Sequence, residues 1–208
     1  ASIGTILRKE DHVAALAGRP ELLSSCGQAS FAVDVRVVDH EGNDIGPGDR
    51  GEVIFGGPHV MKGYYRDTER TDQVLIDGWM HSGDIAEVSE DGFIFIVDRI
   101  KNLIIRGGLN IAPTEIENVL YRHEAVLEAS VVGIPDPEWG EAIVAVVALR
   151  DGITADPEEL RTYCRQSELT SIKIPERIEL MDSLPKNAVG KIAKNEIRDR
   201  FWGDGRKV

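Results

Sequence analysis

Residues 98–117 read DRIKNLIIRGGLNIAPTEIE, and the pattern of the chain changes within this stretch. Before it, apolar alternations such as residues 31–39 are separated by turn sequences such as Glu41-Gly42-Asn43, which is typical of β-structure. After it, apolar runs alternate with segments of helical spacing. We therefore predict an α+β fold in two parts, with a small β-rich subdomain over residues 1–99 and an α+β domain over residues 100–208.

The second part is predicted to hold a small sheet flanked by helices. Residues 126–134 and 142–149 are apolar runs with the length of strands. Between them lies Pro135-Asp136-Pro137, which we expect to end the first strand because proline cannot continue a central one.

Local signals predict where the helices begin. Asp67 is expected to cap a short helix in the first part. Thr114 and Glu117 have the spacing of a capping box, in which the hydroxyl and the carboxylate bind free amides at a helix start. Asp156-Pro157 is typical of another helix start, and a final helix is expected at about residues 194–202.

Composition and charge exclude several classes of function. The chain has 208 residues and a formal net charge of −12, which argues against a nucleic-acid or anionic-membrane surface because both need clustered cations. No apolar run approaches the ~20 residues of a membrane-spanning helix. Cys26 and Cys164 form neither a metal-binding pattern nor a disulfide framework, so we predict a cytoplasmic protein without a metal site in this chain. Because Ala1 is not preceded by Met, we interpret this end as a cut within a longer protein or a cloning remnant.

The first of three polar clusters is Gly78-Trp79-Met80-His81-Ser82-Gly83-Asp84. A carboxylate beside glycine lets a ligand approach closely, and its oxygens accept hydrogen bonds from paired sugar hydroxyls. Asp84 is therefore a candidate for contact with paired sugar hydroxyls. The alternative is a solvated turn aspartate beside a buried tryptophan.

The second cluster lies within residues 98–113, where Arg99, Lys101 and Arg106 surround one short predicted strand. Gly107-Gly108 follows the strand and permits unusual backbone angles and close contact with a narrow ligand. The alternative is a β-hairpin with an ordinary charged face.

The third cluster is Leu184-Pro185-Lys186-Asn187-Ala188-Val189-Gly190-Lys191-Ile192. A lysine on a glycine-containing loop just ahead of a helix reaches a phosphate or a carboxylate as a point charge. Lys191 is the candidate for that contact. The alternative is a surface loop with a solvated lysine.

Together, the order and spacing of these clusters resemble the adenylate-forming superfamily of acyl-CoA synthetases, luciferases and peptide-synthetase adenylation domains. Residues 79–84 resemble the family's W-x-x-T-G-D motif, with Ser82 in place of the usual threonine. Residues 98–117 resemble D-R-x-K-x-x-I-x-x-G-G-x-N-I-x-P-x-E-I-E, and residues 185–191 resemble P-x-N-x-x-G-K. Three shorter stretches also fit, namely Gly51-Glu52-Val53, Gly63-Tyr64-Tyr65 and Val132-Gly133-Ile134-Pro135-Asp136.

The resemblance implies roles in the activation of a carboxylic acid by ATP. Asp84 is expected to hold the ribose hydroxyls of ATP and AMP, and Arg99 is expected to assist at the ribose or the phosphate. Lys191 is expected to be the catalytic lysine that bridges the carboxylate and the α-phosphate. These expectations are carried over residue by residue from the matching motifs.

The resemblance also implies that the chain joins the β-rich end of a large AMP-binding domain to a mobile C-terminal lid domain. Lys101 is expected at the hinge between the two. Gly107 and Gly108 are expected to line the path of the pantetheine arm of CoA when the lid turns, and Arg106 is expected to contact the CoA phosphates.

The implied reaction converts a carboxylic acid, ATP and CoA into acyl-CoA, AMP and pyrophosphate by way of an acyl adenylate. Fatty acids and aryl acids are the expected substrate classes. The family's phosphate-binding loop is not found in this sequence and is expected upstream, together with most of the residues for Mg²⁺ and the acyl group. We therefore expect the isolated chain to catalyse neither step.

Two other interpretations remain open from the sequence. An adenylation domain that loads a carrier protein has the same motifs, although no carrier domain follows the final predicted helix. A non-catalytic nucleotide-binding module is the other alternative, and the presence of Asp84, Arg99 and Lys191 argues against it.

Overall fold

The computed structural model describes residues 4–202. They divide into two compact units, the first ending at Lys101 and the second starting at Asn102. Each unit has its own sheet and its own buried core. The predicted α+β class is confirmed, because both units combine largely antiparallel sheets with separate helices.

The first unit is built around a five-stranded antiparallel sheet. Its elements are β1 (Thr5–Ile6), α1 (Lys9–Leu16), β2 (Gln28–Ala29), β3 (Asp34–Val38), β4 (Arg50–Gly56), α2 (Thr68–Val74), β5 (Leu75–Ile76), β6 (Trp79–Val88) and β7 (Ile94–Arg99). Strand β6 pairs with β4 along one edge and with β5 and β7 along the other, and β3 lies outside β4. Strands β1 and β2 form a separate small ladder.

The core of this sheet comes from alternating apolar residues. Val37, Val53, Ala86 and Ile94 are buried together, and each lies on a different strand. This is the pattern that residues 31–39 predict, because side chains two apart share one face of a strand. These four side chains hold β3, β4, β6 and β7 together on one face of the sheet.

Of the two α-helices of the first unit, the sequence predicted α2 but not α1. Helix α2 begins as expected, with the side chain of Asp67 accepting a hydrogen bond from the Arg70 amide at 3.0 Å. Helix α1 was not predicted, and among its residues only Ala15 is buried. A helix that buries so little has no apolar stripe for sequence reasoning to find.

The second unit is a five-stranded sheet covered on both faces. Its elements are β8 (Ile104–Arg106), β9 (Leu109–Ile111), α3 (Pro113–Tyr121), β10 (Val126–Asp136), β11 (Gly140–Leu149), α4 (Pro157–Gln166), β12 (Arg177–Leu180) and α5 (Lys194–Trp202). Strand β11 pairs antiparallel with β10, parallel with β12 and, at Gly140, antiparallel with β8. The helix expected near the end of the sequence is α5.

Strand β11 is apolar on both sides, which explains its continuous run of small and branched residues. Val147 faces one buried cluster, which includes Leu160 of α4 and Leu120 of α3. Val146 faces the other cluster, which includes Ile197 of α5. A strand buried on both faces reads as an unbroken apolar stretch rather than an alternation.

Helix α4 begins with the capping signal that the sequence predicts. The side chain of Asp156 accepts a hydrogen bond from the Glu159 amide at 2.8 Å, and the Glu159 carboxylate accepts one from the Asp156 amide at 3.4 Å. Pro157 occupies the first turn, where the lack of an amide proton costs nothing.

The expected interruption of the sheet at Pro135 is wrong. Strand β10 continues through Pro135 and Asp136, and Pro135 lies opposite Glu141 of β11. Because β10 is at the edge of the sheet, a missing amide proton can face away from the ladder. The two strands therefore form one long hairpin.

The expected capping box of Thr114 and Glu117 is also wrong. Helix α3 begins at Pro113 with Ala112 in the capping position and no side-chain hydrogen bond there. The carboxylate of Glu117 instead accepts a hydrogen bond from the Val131 amide at 2.7 Å. Glu117 thus binds an amide of strand β10 instead of an amide at the start of its own helix.

Both cysteines are free thiols, as the sequence predicts. Cys164 belongs to the core of the second unit, and burial raises the pKa of its thiol to about 11. In the part of the chain that the structure describes, no helix is long and apolar enough to cross a membrane.

Candidate functional site

Two predicted site residues, Asp84 and Arg99, meet across neighbouring strands of the first unit. Asp84 of β6 lies directly opposite Arg99 of β7, and Arg99 Nε is 2.9 Å from Asp84 Oδ1. Asp84 therefore lies in a strand, which rules out the alternative of a turn aspartate. The side chain of Arg99 is 57% exposed, so its guanidinium still has room for a second anionic partner.

Asp84 is carried by an irregularity in β6. On the side of β4, Ile85 pairs with Glu52 and His81 pairs with Ile54, so Ser82, Gly83 and Asp84 together face only Val53. Gly83 has a φ of +74°, which a residue with a side chain adopts only with strain. We call residues Ser82–Asp84 the β6 bulge. Such bulges re-aim side chains next to functional sites.

A carboxylate from β4 holds this bulge, and sequence reasoning missed it. Glu52 Oε1 accepts a hydrogen bond from the Gly83 amide at 2.9 Å, and Glu52 Oε2 lies 2.7 Å from His81 Nδ1. The signal that could have found it is the match of Gly51-Glu52-Val53 to a family stretch. That match gave no partner, because Glu52 and the bulge are about thirty residues apart in the sequence.

An open pocket of about 390 Å³ in the first unit has Asp84 on its wall. The pocket is lined by Gly4, Phe55, Met61, Tyr64, Val74, Met80, His81, Ser82 and Asp84. The lining mixes apolar and aromatic side chains with the polar groups of His81, Ser82 and Asp84. Pockets with a few convergent polar groups are typical of small-molecule sites. A flat ring against the apolar side, with hydroxyls at the carboxylate, fits this arrangement chemically.

Lys101 lies where the chain leaves the first unit. It is the last residue of that unit and belongs to a single 3₁₀ turn, Ile100–Asn102. Short turns of this kind are common connectors between larger elements.

The glycine pair forms the tight turn between β8 and β9. Gly107 and Gly108 have φ values of +55° and +80°, which is the backbone of a two-residue hairpin turn. The Gly107 amide donates to the Trp139 carbonyl at 2.8 Å, and a Cβ on Gly107 would lie 3.0 Å from the Trp139 ring. A Cβ on Gly108 would meet nothing within 4 Å, so that residue borders open space.

Arg106 is held inside the second unit. Its side chain is only 13% exposed and forms an ion pair with Glu176. The guanidinium also lies over the Trp139 ring, 5.4 Å from the centroid. In this arrangement Arg106 is engaged within its own unit.

The Lys191 loop is a tight structure built by its own sequence. The side-chain oxygen of Asn187 accepts hydrogen bonds from the amides of Val189 at 3.1 Å and Lys191 at 3.0 Å. Gly190 has a φ of +80°, and the backbones of Lys186 and Ile192 pair as an isolated β-bridge at the base of the loop. The asparagine and the glycine of the motif thus fix the backbone that carries Lys191.

Lys191 differs from its neighbouring lysines in its surroundings. Lys186 pairs with Glu128 at 2.7 Å, and Lys194 pairs with Glu117 at 2.8 Å. Lys191 is exposed and forms no ion pair with any residue between 4 and 202. Its ammonium is therefore available to an external anion, whereas the two flanking lysines are engaged.

Between residues 4 and 202, no group of three His, Cys, Asp or Glu side chains is arranged to hold a metal ion.

Two family models match the chain. Residues 4–65 match the AMP-binding enzyme family, and residues 115–191 match the C-terminal domain of AMP-binding enzymes. The two matches fall in the first and the second unit.

Individual relatives support the same family. A feruloyl-CoA synthase from Amycolatopsis sp is 44% identical over 97% of this chain and 40% of its own length. The fatty acid–acyl-carrier-protein ligase ScoC from Streptomyces coeruleorubidus is 45% identical over 90% of this chain and 36% of its own length. The chain thus spans about two fifths of the length of these curated relatives.

Solved structures agree with the sequence matches. The o-succinylbenzoate CoA synthetase MenE from Bacillus subtilis, in complex with the acyl-adenylate intermediate OSB-AMP, is similar to this chain with a TM-score of 0.81. The two are 33% identical, and the match covers 98% of this chain and 39% of MenE. With both family models and these relatives in agreement, the chain belongs to the adenylate-forming superfamily of AMP-binding enzymes.

Proposed function

We propose that this chain is part of a cytoplasmic acid–thiol ligase that makes acyl-CoA from a carboxylic acid, ATP and CoA, with release of AMP and pyrophosphate. The observation that carries the proposal is the unpaired ammonium of Lys191 on a loop that its own motif fixes. Among the described residues Lys191 forms no ion pair, whereas both neighbouring lysines do, so an external anion binds its ammonium without breaking an existing pair. Feruloyl-CoA synthase among the relatives supports the reaction class.

In the first step, an oxygen of the substrate carboxylate attacks the α-phosphorus of ATP, and the bond to pyrophosphate breaks. Two anions must come together, so their repulsion raises the barrier. We propose that the Lys191 ammonium lies between them and offsets both the repulsion and the charge that grows in the transition state. Because the backbone from Asn187 to Lys191 is already fixed, the loop itself loses little freedom when the lysine binds an anion.

The nucleotide is proposed to bind in the pocket of the first unit. The carboxylate of Asp84 accepts hydrogen bonds from the two ribose hydroxyls, while Arg99 holds the same carboxylate from the opposite strand. The exposed part of the Arg99 guanidinium then assists at the ribose or the phosphate. Mg²⁺ enters with ATP as part of the substrate and is held mainly by residues outside this chain.

In the second step, the thiol of CoA attacks the acyl carbonyl carbon, and the bond to AMP breaks. Lys191 must leave the site, and Lys101 at the end of the first unit is the proposed hinge for that movement. The Gly107-Gly108 turn is proposed to border the pantetheine arm, because Gly108 faces open space. Arg106 is proposed to exchange Glu176 for a CoA phosphate.

The acid is proposed to be a fatty acid or an aryl acid. Feruloyl-CoA synthase at 44% identity and a long-chain fatty acid–CoA ligase at 42% identity are both among the relatives, so the two classes are supported by similar identities. A carrier protein is the second candidate for the thiol acceptor. It is favoured by one observation, the 45% identity to an acyl-carrier-protein ligase.

The test is the replacement of Lys191 by Ala in the full-length protein. We expect ATP–pyrophosphate exchange to fall by about 10²–10³, the loss seen when one preorganised charge donor is removed. ATP binding is expected to persist, and thioester formation from a preformed adenylate is expected to suffer less.

The matched control is Lys186→Ala on the same loop, where the lysine is engaged by Glu128. We expect this variant to exchange pyrophosphate at nearly the normal rate. Equal rates for the two variants would contradict the proposed role of Lys191. Free CoA and a phosphopantetheinylated carrier protein, offered separately, would decide which acceptor the protein uses.

A further inference from the structure

The sheet supports the β6 bulge only in part, because Asp84 pairs with Arg99 of β7 whereas Ser82 and Gly83 have no strand partner on that side within residues 4–202. Between Ile85 and His81, the register of β6 against β4 skips three residues, which all lie opposite Val53. A regular antiparallel ladder would exchange backbone hydrogen bonds along this edge. At the bulge that exchange is interrupted, so another group must fix the backbone there.

The carboxylate of Glu52 takes this place. One oxygen accepts the Gly83 amide at 2.9 Å, and the other lies 2.7 Å from the ring nitrogen Nδ1 of His81. The two contacts hold the chain on either side of Ser82. The Glu52 side chain is 18% exposed, so water competes little for its oxygens.

The position of Asp84 depends on this clamp as well as on its pairing with Arg99 of β7, because the residue before it is glycine. Gly83 has a φ of +74°, and a Cβ there would meet nothing within 4 Å, so packing does not restrict it. Ser82 adds one local bond, from its hydroxyl to the Asp84 amide at 3.0 Å. In the ion pair with Asp84, the Arg99 side chain is 57% exposed and the Asp84 side chain 28%, and ion pairs open to water constrain geometry weakly.

We propose that Glu52 is a positioning residue that holds the Asp84 carboxylate where two ribose hydroxyls can reach it. This inference rests on the proposed ribose contact of Asp84. Glu52 touches neither the nucleotide nor the acid in this proposal. It acts through the backbone of Gly83 and the ring of His81.

The experiment compares ATP with 2′-deoxy-ATP as substrates of the full-length protein, using the ratio of their kcat/KM values. A carboxylate that binds both ribose hydroxyls gives a strong preference for ATP. We expect Glu52→Gln to reduce this preference about tenfold, through KM more than kcat, because the neutral amide cannot accept both contacts with equal strength. A purely structural role would lower thermal stability and leave the preference unchanged.

The control is Glu87→Gln, on the same strand β6. Glu87 pairs with Arg50 at 2.6 Å and lies away from the bulge, so the preference should stay as it is in the unmodified protein. If Glu52→Gln does not fold, Glu52→Asp takes its place with the same expectation. The shorter side chain keeps the charge but does not span both contacts.

Asp84→Asn separates the inference from the proposed function. Loss of the preference in Asp84→Asn together with a reduced preference in the Glu52 variant supports both. Loss of the preference in Asp84→Asn with an unchanged Glu52 variant overturns the inference and leaves the ribose contact standing. An unchanged preference in Asp84→Asn overturns the ribose contact, and the role of Glu52 falls with it.

Discussion

Replacing Lys194 by Met is expected to destabilise the second unit, because it removes the cation from a largely buried ion pair. Lys194 Nζ lies 2.8 Å from a carboxylate oxygen of Glu117, and the two side chains are 26% and 11% exposed. The same carboxylate accepts the Val131 amide at 2.7 Å. The pair therefore joins the start of α5 to α3 and β10 at one point.

The expected loss of stability follows from the Glu117 charge that remains when Lys194 is replaced. Removing one partner of a buried ion pair costs about 3–5 kcal/mol, because the remaining charge stays in a poorly solvated site. Lys194 is partly exposed, so we expect the lower end, about 3 kcal/mol. Met keeps most of the apolar stem of lysine, which limits the loss of packing. Lys194 also opens a helix, where a cation is unfavourable to the helix dipole, so the pair with Glu117 accounts for its presence there.

Hydrogen exchange measures this change locally, which matters because two units need not unfold together. The Val131 amide is the most direct probe, since its acceptor is Glu117 itself. A loss of 3 kcal/mol corresponds to roughly 100-fold faster exchange for an amide that exchanges by opening of the unit. Amides in β6 of the first unit serve as an internal reference.

Two further variants complete the test. Arg165→Met removes the cation of an exposed pair with Glu158 and is expected to change stability by less than about 1 kcal/mol. Adding Glu117→Gln to Lys194→Met is expected to restore part of the loss, because the neutral amide still accepts from Val131. Exchange at Val131 that is as slow in Lys194→Met as in Arg165→Met would refute the reasoning.

The remaining predictions concern the proposed reaction. Lys101→Pro fixes φ near −65° at the proposed hinge, so thioester formation should fall more than ATP–pyrophosphate exchange, and an equal loss of both would contradict a hinge there. The isolated chain is expected to show no ATP–pyrophosphate exchange above background, because the residues proposed for the phosphates and Mg²⁺ lie outside it, and robust exchange by the purified chain would overturn that expectation.

The sequence predicted those elements whose cause is local. The start of α4 at Pro157 follows from a carboxylate that binds an amide three residues away, and the structure has that bond. The β-hairpin turn at Gly107-Gly108, which the sequence left open as an alternative, likewise follows from backbone angles that glycine adopts easily. In each of these, the residues that decide the structure are neighbours in the chain.

The predictions that were wrong have partners far away in the sequence. Thr114 and Glu117 have the right spacing for a cap, but Glu117 binds Val131 and Lys194, which lie 14 and 77 residues further along. Pro135 was expected to end a strand, and only the strand order shows that β10 is an edge. A local rule cannot weigh a contact that forms only when the sheet assembles.

The same difference between local and distant partners separates the site residues that were predicted from the one that was missed. Asp84, Arg99 and Lys191 were predicted because their residue types and spacings carry chemistry, and the structure brings the first two together. Glu52 was missed because an acidic residue in a strand is ordinary until its partners are known. The bulge that gives it a role is set by the register of two strands, which no single segment specifies.

The charges around Lys191 show why one lysine is suited to an anionic substrate in an acidic protein. With a net charge of −12, the chain repels ATP at long range, so a binding cation must act at short range. The other cations between residues 173 and 194 each pair with a glutamate, namely Lys173, Arg177, Lys186 and Lys194. Within that described segment, Lys191 alone has no carboxylate to exchange for a ligand, so binding an anion there costs no broken ion pair. An added carboxylate within reach of Lys191 would therefore weaken adenylation even though the lysine remained in place.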